Sequence, residues 1–246
     1  MVPVMYWVIG SMGFPNIAMK VSLGTSLLVI LPTTISGAWR HNRKNAVRWK
    51  TAVILGLSGL GGGLAGSTLA AHLPEQALKT GFGGFVLAMA IWMGLGLMPK
   101  LAREAREPRS YSWKLAAYGF PIGMVSGLTG LGGGALIVPV LVLILGFPMH
   151  IAVGTSVASI IFTGLGGIIG YIVNGLGVPG LLPYSIGYIN LPIWLCLAAT
   201  SVPMAQLGSM TAHALPARQL RYIFIAVMLY IGLKMLGVFS WMGLPI

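Results

Sequence analysis

The sequence predicts an all-α membrane protein, and three observations carry that prediction. Charged residues make up 7% of the 246 positions, against roughly 25% in an ordinary soluble domain. Apolar residues make up 57%, with a mean hydropathy of +0.90. The apolar residues also gather into segments long enough to cross a bilayer, which takes about 20 helical residues. A chain this poor in charge cannot cover the surface of a soluble fold. A soluble enzyme, a nucleic-acid-binding domain and a disordered chain are therefore excluded. The 36 glycines and 15 prolines fit the same class, since membrane helices tolerate both.

Six spans are expected in order, at 21–39, 51–71, 80–98, 151–173, 190–212 and 222–242. From Leu115 to Ala217 there is no Asp, Glu, Lys or Arg. The stretch 115–146 is too long for one simple span. Its middle reads Gly127-Leu-Thr-Gly130-Leu-Gly132-Gly133-Gly134, and such a run disfavours a continuous helix. It reads either as one kinked helix or as two half-helices in a re-entrant hairpin.

Charge favours the hairpin. The net charge is +12, with 15 Lys plus Arg against 3 Asp plus Glu. Arg40, Arg43, Lys44, Arg48 and Lys50 mark one cytoplasmic loop, and Lys100, Arg103, Arg106, Arg109 and Lys114 mark another. The turn 72–79 then faces outside. A hairpin puts the uncharged loop 174–189 outside and Arg218 and Arg221 inside. That arrangement places 12 of the 15 basic residues on the cytoplasmic side and leaves Lys20, Lys79 and Lys234 at the outer side. Irregular backbone at membrane depth survives only where protein buries it or a cavity is lined by it. The hairpin is thus the first candidate for a functional site.

The two halves repeat each other. Gly13-Phe14-Pro15 recurs as Gly146-Phe147-Pro148, and Gly24-Thr25-Ser26 recurs as Gly154-Thr155-Ser156. Gly66-Ser67…Leu73-Pro74 recurs as Gly208-Ser209…Leu215-Pro216. The order is preserved across each half, so chance matching is a poor explanation. The expected organisation is a first repeat at 1–98, a basic cytoplasmic linker at 99–114 and a second repeat at 115–246. Leu73-Pro74 falls outside and Leu215-Pro216 inside, so the repeats are inverted. Each contributes three crossings. The Gly-rich hairpin lies in the second half, and residues 1–12 correspond only to its second arm, a partial hairpin at the N-terminus. Inverted repeats with broken helices characterise secondary transporters, whose site lies between the repeats near the midplane.

The run Gly127-Leu-Thr-Gly-Leu-Gly-Gly-Gly-Ala-Leu-Ile-Val-Pro139, the two Gly-Thr-Ser triplets and the two Gly-Ser…Leu-Pro stretches resemble the TauE/SafE family of sulfite and organosulfonate exporters. The resemblance covers nearly the whole chain. It implies a transporter of small sulfur-containing anions such as sulfite or sulfoacetate, in the cell membrane.

The residues themselves also suit an anion. A half-helix beginning after Gly132, Gly133 and Gly134 presents free backbone N–H groups and a positive dipole end. The hydroxyls of Thr25, Ser26, Thr155 and Ser156 are expected to add hydrogen bonds, and Gln206 is a weaker candidate in mid-span. Against this stand plainer readings: small-residue packing for the glycines, hydroxyl-to-carbonyl bonds within a helix for the Gly-Thr-Ser segments. Gly59, Gly63 and Gly66 read as a packing face. Glu75, Glu104 and Glu107 all fall outside the expected spans. No metal-ligand cluster, P-loop or nucleophile elbow is present, so no metal, cofactor, nucleic acid or enzymatic chemistry is expected. The expected partners are a small sulfur oxyanion and the lipid bilayer, with assembly as a homo-oligomer left open. A passive anion channel and a non-transporting membrane scaffold remain as alternatives.

Overall fold

The computed structural model describes residues 1–95, 112–201 and 217–238. Most of the basic linker, Gln206 and the second Leu-Pro turn lie outside the described residues. The helices are α1 (Val2–Ser11), α2 (Ala18–Arg43), α3 (Trp49–His72), α4 (Glu75–Gly94), α5 (Ser112–Thr129), α6 (Gly134–Pro139) and α7 (Met149–Gly175). The chain continues through α8 (Leu191–Ser201) to α9 (Ala217–Leu236). Residues Val140–Ile144 extend α6 as a π-helical turn. Among the described residues α2, α3 and His150–Gly175 are long and apolar enough to cross a membrane.

Several boundaries differ from those expected. The turn expected at 72–79 is confined to Leu73 and Pro74, and α4 starts at Glu75. Proline costs nothing at a helix start, where its missing N–H would have had no partner. The first basic loop is also shorter than 40–50, because α2 runs on to Arg43 and places Arg40, His41 and Arg43 in its last turn. Cations there suit the negative end of the helix dipole. The loop before α8 holds a two-residue antiparallel pair, Ser185–Ile186 with Ile189–Asn190, a small exception to an all-helical chain.

Glycine sets the core of the bundle. Helix α3 lies between α5 and α7. Gly119, Gly123 and Gly127 of α5 each approach a carbonyl of α3, at Leu55, Gly59 and Gly63 in turn. On the other side Gly59 and Gly63 approach Thr163, and Gly166 approaches Leu60. A side chain at these positions would collide with backbone or with Thr163, so the small residues permit the contact. The advancing register shows that α3, α5 and α7 run parallel. By contrast α2 and α7 run antiparallel, with Gly24 beside Tyr171 and Gly154 beside His41. Helices α4 and α9 are also antiparallel, with Gly83 beside Met235 and Gly232 beside Leu87.

A main apolar core collects Val2, Met5 and Ile9 of α1, Met19, Leu23 and Leu27 of α2, and Tyr171 of α7. A second core gathers around α5 and α6, with Leu115, Ile122, Ile137 and Leu141. At one end of the bundle Trp39, Trp49 and Trp113 are exposed at the end of α2 and the starts of α3 and α5. The Arg43 guanidinium stacks on the Trp39 ring at 3.9 Å.

Candidate functional site

The glycine run breaks the helix. Helix α5 ends at Thr129 and α6 begins at Gly134. Between them Gly130, Gly132 and Gly133 take φ values of +65°, +73° and +76°. Three left-handed residues within four positions are accessible to glycine and costly for other L-residues. Within the turn Gly130, Gly132 and Gly133 are buried, while the Leu131 side chain is exposed.

Hydroxyl groups from three neighbouring helical positions hold this backbone by its carbonyls. Ser26 Oγ donates to Gly130 O at 3.1 Å, and Thr163 Oγ1 donates to Gly132 O at 3.1 Å. Tyr171 Oη donates to Gly127 O at 2.9 Å. The carbonyls are thus occupied from outside the turn. The N–H groups of the buried Gly132 and Gly133 make no hydrogen bond among the described residues. Buried backbone donors without partners are uncommon and call for an explanation.

A second orphan lies beside them. Ser126 is fully buried, and its Oγ has no hydrogen-bond partner among the described residues. The Ser126 side chain borders Gly133: a Cβ added there would sit 3.3 Å from Ser126 Cβ and 3.2 Å from Ile122 Cγ2. Among the described residues the turn therefore combines unpaired backbone donors, an unpaired hydroxyl and no competing carboxylate. Such a set can receive the oxygens of an anion.

Of the residues singled out in the sequence, Gly132, Gly133 and Ser26 meet at this turn, with Gly134 opening α6. Thr25 and Thr155 do not reach it. Thr25 Oγ1 accepts the Asn190 N–H at 3.1 Å, just before α8, and Thr155 Oγ1 accepts the Arg48 N–H at 3.1 Å, just before α3. Ser156 donates to Val153 O in its own helix, which is the plainer reading of a helical serine. Lys20 likewise acts on structure. Its Nζ donates to Ala71 O at 2.7 Å and satisfies the end of α3. Gln206 lies outside the described residues.

Sequence reasoning missed Ser126, Thr163, Tyr171 and Asn190. A lone hydroxyl in an apolar helix carries no periodic signal. Asn190 had a readable one, as a helix N-cap: its Oδ1 accepts the Ile193 N–H at 3.0 Å.

The sequence matches a family model and several known proteins. The family model described as sulfite exporter TauE/SafE matches residues 1–235. A probable membrane transporter protein of Methanocaldococcus jannaschii is 30% identical over 235 residues, covering 95% of this chain and 85% of that protein. A probable membrane transporter protein of Haemophilus influenzae is 28% identical over 236 residues, with 95% and 88% covered. The probable membrane transporter protein YunE of Bacillus subtilis is 26% identical over 248 residues, with 92% and 85% covered. No solved structure matches the chain. With the match running from residue 1 to 235, the chain belongs to the TauE/SafE sulfite exporter family of membrane transporters.

Proposed function

We propose that this protein exports a small sulfur oxyanion, sulfite or sulfoacetate, across the plasma membrane by alternating access. The two halves, 1–98 and 115–246, act as inverted repeats around one site. The observation that carries this reading is the turn Gly130–Gly133, where the N–H groups of Gly132 and Gly133 and the Ser126 hydroxyl have no hydrogen-bond partner among the described residues, beside backbone that tolerates close approach.

The inverted arrangement draws support from crossed contacts. Gly24 packs under the Tyr188 carbonyl and Gly154 under the Ala46 carbonyl, each two residues before the N–H that the following threonine accepts. Gly13 and Gly146, which open the repeated Gly-Phe-Pro, both take positive φ. Equivalent helices, α2 with α7 and α4 with α9, pack antiparallel, as a two-fold axis in the membrane plane requires. The re-entrant path draws support from α5 and α7 being parallel, since α6 and its π-helical turn must bring the chain back between them. With Trp39, Trp49 and Trp113 at the basic end as an interfacial belt, that end faces the cytoplasm.

In this reading Gly132, Gly133 and Gly134 supply backbone donors, Ser126 donates from below, and Ser26 and Thr163 hold the carbonyls away from the anion. Thr25 and Thr155 tie each repeat to the other. The test is flux through liposomes carrying the purified protein. Saturable uptake and counterflow of sulfite or sulfoacetate, stronger than for sulfate or taurine, is the expected outcome. Ohmic anion current without counterflow would replace the carrier by a channel, and absence of both would leave a scaffold.

A further inference from the structure

A pocket of about 610 Å³ lies away from the glycine turn, between α1, the start of α4 and the end of α9. Its walls are apolar, built by Val4 and Trp7 of α1 and by Val227 and Ile231 of α9. Its polar groups include two cations, Lys79 and Lys234. No carboxylate lines it among the described residues. Glu75, one turn before Lys79 on α4, is engaged elsewhere: its carboxylate accepts the Met19 and Lys20 N–H groups at 2.8 and 3.3 Å.

Each lysine is held beside an aromatic ring. Lys79 Nζ lies 5.4 Å from the Tyr6 ring centroid, and Lys234 Nζ lies 5.7 Å from that of Tyr230. Such contacts restrain an ammonium without neutralising it. Val4 and Trp7 are 64% and 66% exposed, so the groove opens outward onto the surrounding medium. In a membrane protein that medium is lipid at the height of an apolar helix face. An apolar groove with two lysines in its lining is complementary to a ligand with a negative head and a hydrocarbon tail.

We propose that this pocket binds an anionic phospholipid, with one acyl chain along α1 and α9 and the phosphate held by Lys79 and Lys234. The site is separate from the glycine turn, and the proposal does not depend on which anion the protein carries. Bound lipid would join α1 to the α4–α9 pair.

The experiment uses the full chain in detergent, with dioleoylphosphatidylglycerol and dioleoylphosphatidylcholine as probes. Binding is read by native mass spectrometry and by the lipid-dependent rise in thermal midpoint. Phosphatidylglycerol is expected to bind about ten-fold more tightly than phosphatidylcholine, and Lys79→Gln/Lys234→Gln should remove that preference. Lys79→Arg/Lys234→Arg should restore it, which separates charge recognition from misfolding. Ile231→Trp, which fills the groove, should weaken both lipids and leave the lysines in place. Free glycerol 3-phosphate should not compete, because it lacks the tail. Equal phosphatidylglycerol affinity in wild type and the Gln pair would overturn the proposal. So would competition by sulfite or by glycerol 3-phosphate alone, which would make the pocket a site for small anions.

Discussion

Thr25 and Thr155 make the same bond into opposite halves of the chain: the first accepts the N–H of Asn190 and the second that of Arg48, each at 3.1 Å. Both threonines are fully buried. Each accepted N–H stands at the start of a helix, where no intrahelical carbonyl is available to it. Each Gly-Thr-Ser segment therefore completes a helix start in the other half of the chain, and the glycine before each threonine admits the approaching backbone.

The crossing predicts paired effects. Thr25→Val and Thr155→Val keep the side-chain shape but leave an N–H unpaired, buried at Asn190 and part-buried at Arg48. Each should cost about 1–3 kcal/mol. Thermal unfolding in detergent should fall by similar amounts for the two variants, and Thr→Ser at either position should recover most of the loss. A large effect at one threonine and none at the other would contradict equivalent roles.

At the glycine turn, binding and stability should separate. Ser126→Ala removes a hydroxyl that is buried without a partner, so the empty protein should be no less stable than wild type. Anion affinity should nonetheless fall about ten- to a hundred-fold, the worth of a hydrogen bond to a charged group. Gly133→Val should abolish transport, since a branched residue at φ +76° is strained and meets Ile122 and Ser126. Binding and flux at matched protein amounts check both. Normal affinity in both variants would place the anion elsewhere.

How far this could be read from sequence depended on what leaves a pattern. The break at Gly130–Gly133 was legible, because clustered glycine in an uncharged stretch contradicts a continuous helix. The Gly-Thr-Ser recurrence was legible as important, but its role was not. Recurrence marks an equivalent position in both halves, and a helix-end acceptor recurs as readily as a ligand. Ser126 and Thr163 were invisible, since only tertiary packing brings them to the turn. The exact start of α4 is not legible, because 72–79 reads as one turn, whereas Pro74 lets the helix begin at Glu75.

Pro32 and Trp194 form a second coupled pair. Proline within α2 has no N–H, so the Leu28 carbonyl four residues earlier loses its usual partner. Trp194 of α8 donates its indole Nε1–H to that carbonyl at 3.2 Å. Trp194→Phe should cost about 1 kcal/mol beyond its packing change. Pro32→Ala, which supplies an N–H, should reduce that cost. A double-mutant cycle on thermal unfolding gives the coupling directly, and strictly additive effects would refute it.

Glu75 predicts a pH dependence. Burial raises its carboxyl above the ordinary value, and the backbone N–H groups of Met19 and Lys20, together with the Lys20 charge, offset this in part. A carboxyl raised by folding binds its proton more tightly in the folded state. Its contribution is therefore fully present below the ordinary glutamate range and is lost as pH rises through the raised value. Glu75→Gln should flatten the slope of stability against pH across that window, and its advantage over wild type should grow as pH rises. Thermal midpoints from pH 4.5 to 7.5 measure this, and parallel curves for the two proteins would show that Glu75 does not titrate there.

The packing glycines should behave differently from those of the turn. A Cβ at Gly63 would sit 2.6 Å from the Thr163 carbonyl and 3.0 Å from Gly167 N, both backbone atoms that cannot rotate away. Gly63→Ala must therefore push α3 from α7. Gly164, also helical, has nothing within 4 Å of the same point. Gly164→Ala should add about 0.5–1 kcal/mol through helix propensity alone. Gly63→Ala should instead lower the folded yield and thermal midpoint. The proposed anion site is the turn and not this contact, so the folded fraction of Gly63→Ala should bind the anion with nearly wild-type affinity. Equal stability of the two alanine variants would mean that α3 and α7 do not meet through Gly63. A hundred-fold loss of affinity in well-folded Gly63→Ala would move the site toward the α3–α7 seam.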